Sequence, residues 1–288
     1  MNAYQQAEPT NVYQGRLAVR IIATYINWKA IGEDPAVIAE NSARIKPRIH
    51  LDKRVTSLPA AIVGFGPSLK DTWKSLEHFT TIFTCSGAHK FLIERGIVPT
   101  YHVDSDPRAY KADILGDPHP RVNYLISSIC HPTYFDKLEL YHARVKLWHM
   151  LFLEPEIFAH FPINEWILTG GHTVGPRAIK IAALMGYHNL HMFGFDGSVA
   201  ENATHASAHP APPTDLGRIK FNDKTYISNI NWQDHAEILL KDFDRMPEVK
   251  YKFYGDGLIQ ALAKKHVPIK RAHMPPRVYK GEDGNCYW

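Results

Sequence analysis

The chain has 288 residues, 45% of them hydrophobic, and a formal net charge of +4. That length supplies one sizeable core, and the mild positive charge is compatible with polyanionic partners without selecting them. No apolar run reaches membrane-spanning length, the N-terminus lacks a charged-then-apolar leader, and three widely spaced cysteines (Cys85, Cys130, Cys286) argue against a disulfide framework, so the expected location is the cytoplasm.

In chain order, residues 1–14 read as disordered. Leu17, Val19, Ile21, Ile22, Tyr25, Ile26 and Trp28 predict a helix over 17–30, and a second helix is expected over 35–45. This pair either caps a sheet or makes oligomer contacts. Strands and helices then alternate. Strands are predicted at 60–63, 81–85, 101–103, 122–127, 144–148 and 190–193. Helices are predicted from 67 to 78, over 88–95 and over 175–185. Apolar strands alternating with helices imply a mostly parallel sheet covered on both faces, a Rossmann-like α/β fold.

After Asp196 the rhythm stops. Residues 198–215 are rich in Ala, Pro, Thr and His and read as a long lid loop. A hairpin (218–221 with 225–228), a helix at 232–243, a strand at 250–254 and a helix at 258–265 follow. The organisation expected is a helical extension (1–55), a nucleotide-binding transferase domain (56–265) and a basic irregular tail (266–288).

Five strand ends carry small, hydroxylated or acidic residues, where open α/β sheets bind ligands. The first is Gly64, Gly66, Pro67 and Ser68. A strand, a glycine turn and a helix start make an anion site from first-turn N–H groups and the helix dipole, and the same pattern fits an ordinary βα turn. Neither G-x-G-x-x-G nor a Walker A loop is present, because Leu69 occupies the third glycine position and no G-K-[ST] follows. Ser86 and Gly87 end the second strand, Ser127 and Ser128 the fourth. Asp104 and Asp106 resemble the D-x-D that holds Mg²⁺ or Mn²⁺ on a diphosphate, or form a solvated turn with Asp106 as a helix cap. Gly170, Gly171, His172 and Thr173 enter a second helix, either around a base or ribose or as a packing turn. Asp196 ends a later strand. His205 and His209 lie in the long loop, and a histidine there is suited to take a proton from a hydroxyl.

Taken in order, Gly64 to Leu69, Ser86 and Gly87, Gly96 to Asp104, Gly170 and Gly171, and Leu184 to Asp196 resemble the MptE-like proteins. That family covers archaeal 6-hydroxymethylpterin diphosphokinases and bacterial motility-associated Maf flagellin glycosyltransferases. The motif order is also similar to that of bacterial sialyltransferases, which use CMP-sialic acid on a single Rossmann-like domain. The resemblance spans roughly Ala60 to Tyr254. It implies that Gly64, Gly66, Pro67 and Ser68 hold nucleotide phosphates, Ser86 and Gly87 border the nucleotide, and Asp104 sits at a phosphate or metal position. It also implies that Gly170, Gly171, His172 and Thr173 face the base or ribose, Asp196 stands beside the acceptor, and His205 is a lid histidine. The chain departs from the sialyltransferase pattern at Cys85 and Ser86, where an asparagine is usual.

Three functions follow as expectations. The first is a nucleotide-sugar-dependent glycosyltransferase acting on a hydroxyl acceptor in a glycan, glycoconjugate or small molecule, with His205 and Asp196 as catalytic residues and a divalent cation on Asp104 and Asp106. The second is a diphosphokinase that uses ATP. The third is a non-catalytic nucleotide-binding protein whose basic tail (Lys265, Lys270, Arg271, Arg277, Lys280) docks to a polyanion, which leaves nucleic acid open as a partner. A homo-oligomer is compatible with each.

Overall fold

The computed structural model describes residues 4–6, 24–26, 34–50, 54–152, 154–168, 173–200, 203–210, 212–213, 216–266, 277–283 and 286–287. At the N-terminus, β1 (Tyr4–Gln6) pairs antiparallel with β2 (Thr24–Ile26). The helix expected over 17–30 is therefore a strand at residues 24–26, where β-branched and aromatic side chains favour extended backbone. The rest of that stretch lies outside the described residues. Helix α1 (Val37–Arg44) forms as predicted and is a cap on the sheet. Ile38 is fully buried in the core, and Asn41 Nδ2 donates to the carbonyls of Ser128 and Cys130, both at 2.9 Å.

The main sheet starts with β3 (Thr56–Val63), longer than the predicted 60–63 because only its second half is buried. It runs into α2 (Leu69–Thr72), which continues as a 3₁₀ turn to His78. Then come β4 (Thr81–Cys85), α3 (Ala88–Ile93), β5 (Tyr101–Asp104), α4 (Lys111–Leu115), β6 (Asn123–Ser127) and α5 (Pro132–Leu140). They are followed by β7 (Arg144–Met150), α6 (Pro155–Phe158), β8 (Glu165–Leu168), α7 (Val174–Leu184) and β9 (Tyr187–Phe193). The hairpin β10 (Leu216–Phe221) and β11 (Lys224–Asn229) stands as its own two-stranded sheet. Helix α8 (Ile230–Asp244), β12 (Lys250–Phe253) and α9 (Leu258–Lys265) return the chain to the main sheet.

The tail differs from expectation. Residues predicted irregular include β13 (Arg277–Lys280), antiparallel to β8, and β14 (Cys286–Tyr287), antiparallel to β13. Pairing covers the otherwise open edge of β8.

The strand order is β12-β9-β3-β4-β5-β6-β7-β8-β13-β14, with the eight from β12 to β8 parallel. Alternate residues of β3 enter opposite cores. Ala60 and Ile62 join one cluster, Ala61 and Val63 another. Both faces are thus covered, as a Rossmann-like parallel sheet requires. From β3 the chain lays strands outward in one direction as far as β8. It then returns to place β9 on the other side of β3. The carboxyl ends of β3 and β9 therefore flank a topological switch point, where the two departing connections leave a crevice. No helix of the described residues is long and apolar enough to cross a membrane.

Candidate active site

The crevice is a cleft of about 220 Å³. The turn after β3 gives it Gly64, Phe65, Gly66 and Pro67, and the end of β4 gives it Cys85 and Ser86. The start of α7 adds Thr173, Val174 and Gly175. The end of β9 adds Gly194 to Ser198, the loop beyond adds Thr204 and His205, and Trp232 and Ile259 close the wall.

The glycines of the first turn answer to the protein before any ligand. A Cβ at Gly64 would lie 2.6 Å from the carbonyl oxygen of Gly194, and one at Gly66 would collide with that oxygen and with the Asp196 carboxylate. Two strand ends meet here backbone to backbone. The Gly64 N–H donates to Phe193 O and the Gly66 N–H to Gly194 O, both at 2.8 Å. The Ser68 N–H donates to Asp196 Oδ2 at 3.0 Å. Pro67 has no N–H. The amides of residues 64, 66 and 68 are therefore engaged within the protein.

Asp196 is buried. Its Oδ1 accepts from Gln260 Nε2 at 3.0 Å, and burial raises its carboxyl above the ordinary carboxylate range. It ties β9 to the starts of α2 and α9. The helix start facing the cleft with the longer dipole is that of α7, eleven residues long. First-turn amides have no partner inside their own helix, and Thr173 stands at its N-cap.

His205 is held over the turn by its neighbours. The Ala206 N–H donates to Phe65 O at 3.0 Å, and the rings of Phe65 and His205 lie 5.6 Å apart. His205 Nδ1 is 2.9 Å from Thr204 Oγ1. Burial lowers its pKa to about 3, helped by the charges of His209 and Lys111. His209 stacks on it, centroids 4.1 Å apart and planes at 10°.

Asp104 and Asp106 do not line the cleft. Asp104 is 1% exposed, and its Oδ1 accepts from the amides of Ser105 (2.8 Å) and Asp106 (3.2 Å). Burial raises its carboxyl despite Lys111. Burial opposes ionisation of Asp106 too, but the Arg108 hydrogen bonds and the Lys111 charge outweigh it and its carboxyl is lowered. Arg108 holds both Asp106 oxygens, at 2.8 and 2.5 Å. Lys111 Nζ lies 3.8 Å from Asp104 Oδ2 and 3.9 Å from Asp106 Oδ2. These carboxylates do not fit Mg²⁺ or Mn²⁺, which need several oxygen ligands around an open centre. An ammonium already stands beside both. Among the described residues no three His, Cys, Asp or Glu side chains converge as a metal site.

Of the residues singled out in the sequence, Gly64, Gly66, Pro67, Ser86, Thr173, Asp196 and His205 meet at the cleft. Ser68 stands beside it through Asp196. Gly87 faces a neighbouring cavity of about 390 Å³ with Lys90, Glu94 and Asp113, across the ring of Phe65. Gly170, Gly171 and His172 lie outside the described residues. Sequence reasoning missed Lys111, whose signal was a lone lysine after an acidic turn. It also missed Trp232, which reaches the cleft from a helix far along the chain.

Among solved structures, the chain resembles the Maf glycosyltransferase from Magnetospirillum magneticum AMB-1. Identity is 19% and the TM-score 0.59, over 77% of this chain and 36% of that one. The chain thus spans about a third of that protein's length, and the likeness is one of fold. A mammalian sialyltransferase, in complex with Gal-beta-1-3GalNAc-ortho-nitrophenol, aligns at 11% identity and a TM-score of 0.39, over 75% of this chain and 78% of that one. No curated protein sequence matches the chain. The family model described as 6-hydroxymethylpterin diphosphokinase MptE-like matches residues 38–202, from α1 to the loop beyond β9. With more than half of its length matched, the chain belongs to the MptE-like family.

Proposed function

We propose that the protein is a nucleotide-dependent transferase, and specifically a glycosyltransferase that moves a sugar from a nucleotide sugar to a hydroxyl acceptor. The observation that carries this reading is the cleft at the β3/β9 switch point, where hydroxyls, a long helix start and a histidine converge. The fold likeness to a glycosyltransferase agrees with it.

In this reading the donor phosphates lie against the hydroxyls of Ser86 and Thr173 and the first turn of α7. Phe65, Phe195 and Trp232 offer apolar walls for the base or sugar. Asp196 positions the Gly66–Ser68 turn. His205 takes the acceptor proton. In the tautomer whose Nδ1–H donates to Thr204 Oγ1, Nε2 carries the lone pair. A base with a pKa of about 3 is weak, but a bound phosphate brings negative charge that favours the imidazolium and raises it. Donor binding would then switch on the base.

A thermal-shift series with UDP-, GDP-, CMP- and dTDP-sugars and ATP, with and without Mg²⁺ or Mn²⁺, tests the reading. Ligands that bind only the folded state raise apparent stability. A sugar nucleotide stabilising the protein without metal is the expected result. Stabilisation by ATP only with Mg²⁺ would favour pyrophosphate transfer to a hydroxymethyl group. No shift with any ligand would favour a non-catalytic role.

A further inference from the structure

The geometry points to Lys111 as a resident cation that takes the place of a divalent metal in this site and, acting through Ser86, holds a phosphate of the bound nucleotide. The inference rests on the reading of the cleft as a nucleotide site. Lys111 opens α4 and is 5% exposed. A lysine so buried requires counter-charges and acceptors. It has Asp104 and Asp106 at 3.8 and 3.9 Å, and it donates to Ser86 Oγ at 2.5 Å. Asp106 is also held by Arg108. Two carboxylates and two fixed cations sum to no net charge, so a divalent ion would enter a neutral site already occupied by an ammonium.

Ser86 connects this cluster to the cleft that it lines. Its backbone has φ +50°, a region that non-glycine residues rarely adopt and that persists where the surroundings enforce it. Because Oγ accepts a hydrogen bond from Lys111 Nζ, its own hydroxyl proton points elsewhere, and the cleft is the open side. The ammonium also polarises that hydroxyl and makes it a stronger donor. Ser86 therefore presents an O–H to an anionic oxygen in the cleft. Lys111 is a positioning residue behind it. This pair supplies, without a metal, the positive pole that a diphosphate or monophosphate ligand needs.

Two measurements test this. The first is Mn²⁺ titration followed by electron paramagnetic resonance. The parent is expected to bind no Mn²⁺ at these carboxylates. Arg108→Ala releases Asp106 but keeps Lys111 and should still bind no Mn²⁺. Adding Lys111→Ala frees both carboxylates and gains a Mn²⁺ site, which a further substitution, Asp104→Asn, removes. A parent site abolished by Asp104→Asn overturns the inference, as does a folded Arg108→Ala/Lys111→Ala protein that ignores Mn²⁺.

The second measurement keeps the charge cluster intact and does not depend on Lys111→Ala folding. Affinities for UDP, CMP and ADP, and for uridine, cytidine and adenosine, are measured in EDTA for the parent and Ser86→Ala. The nucleotide that binds the parent should weaken about tenfold to a hundredfold, the range for losing a charge-assisted hydrogen bond. Its nucleoside should bind unchanged. Lys111→Arg, which keeps the charge, should retain much of the nucleotide affinity. Equal losses for nucleotide and nucleoside, or no loss for either, would make Ser86 merely structural. A parent that binds none of these nucleotides overturns the transferase reading and the Ser86 half of the inference. The Mn²⁺ titration still decides the Lys111 half.

Discussion

Two histidine clusters lie at strand ends on opposite sides of the sheet's centre. The first joins Ser128, His149 and Glu165. His149 Nδ1 is 2.9 Å from Ser128 Oγ and Nε2 is 2.5 Å from Glu165 Oε2, while Arg48 grips Glu165 at 2.5 and 2.8 Å. On paper this is the hydroxyl–imidazole–carboxylate order of a hydrolase. Yet Ser128 is 0% and His149 1% exposed, and both ring nitrogens are engaged. No substrate reaches it. The second cluster is His205 stacked on His209, and His205 stands at a cleft with one nitrogen toward Thr204. Access and unused hydrogen-bonding capacity separate a reactive histidine from a structural one more sharply than residue types do.

The largest expected effect is at the cleft. His205→Ala should lower kcat by about 10²–10⁴, the usual range for losing a general base. Donor affinity should stay within a few-fold. Near-parent turnover would remove this histidine from the mechanism. Glu165→Ala should do the reverse. It strands Arg48 and His149 and costs about 1–3 kcal/mol of stability, read as a Tm lower by several degrees, with nucleotide affinity unchanged. A large kcat effect from Glu165→Ala without a Tm change would break the distinction between the clusters.

Acid separates the clusters further. His205 has its pKa lowered to about 3 by burial. Unfolded, a histidine titrates near 6.5, so the unfolded chain takes up a proton that the folded one refuses. Stability is therefore lost as pH falls from about 6.5 toward 3. Glu165 moves down to about 2, because His149 and Arg48 outweigh its burial. Its stabilisation is present above the unfolded value near 4.3 and is lost as pH falls through about 2. Denaturation profiles should show His205→Ala flattening the upper window and Glu165→Gln the lower one. Identical profiles would mean that the two groups share one environment.

Much of the fold was legible because its strands are short apolar runs ending at glycine or acidic residues, as at 81–85 and 101–104. The order of those strands was not, since nothing local to β9 says that it pairs with β3 rather than β8. β8 was missed because its burial begins only at Ile167, leaving too short an apolar signal. β13 hid in a basic stretch, where its lysine is buried by two carbonyl acceptors, Phe158 O and Phe161 O. At the site, the strand-end rule drew Gly64, Ser86 and Asp196 to one cleft, which His205 joins from the loop, but it drew Asp104 and Asp106 there too, and they do not line it. It could not show that Asp196 already takes the Ser68 amide, or that Lys111 folds back between two carboxylates. Those facts depend on approaches between residues distant in sequence.

The smallest expected effect falls on His209, four residues beyond His205. Its ring lies flat on His205 at 4.1 Å and meets Tyr110 edge-on at 6.4 Å. Pro210 follows and restrains the backbone. His209 is thus a platform that fixes the His205 ring, and its charge helps hold the His205 pKa down. His209→Ala removes a stacking contact of the size that aromatic pairs contribute, so kcat should fall about two- to tenfold. Removing a like charge also raises the His205 pKa. The acid limb of the kcat profile should therefore move to higher pH in His209→Ala, even as the maximum falls. A loss as large as that of His205→Ala, with an unmoved limb, would assign the base to His209 and leave His205 as the platform.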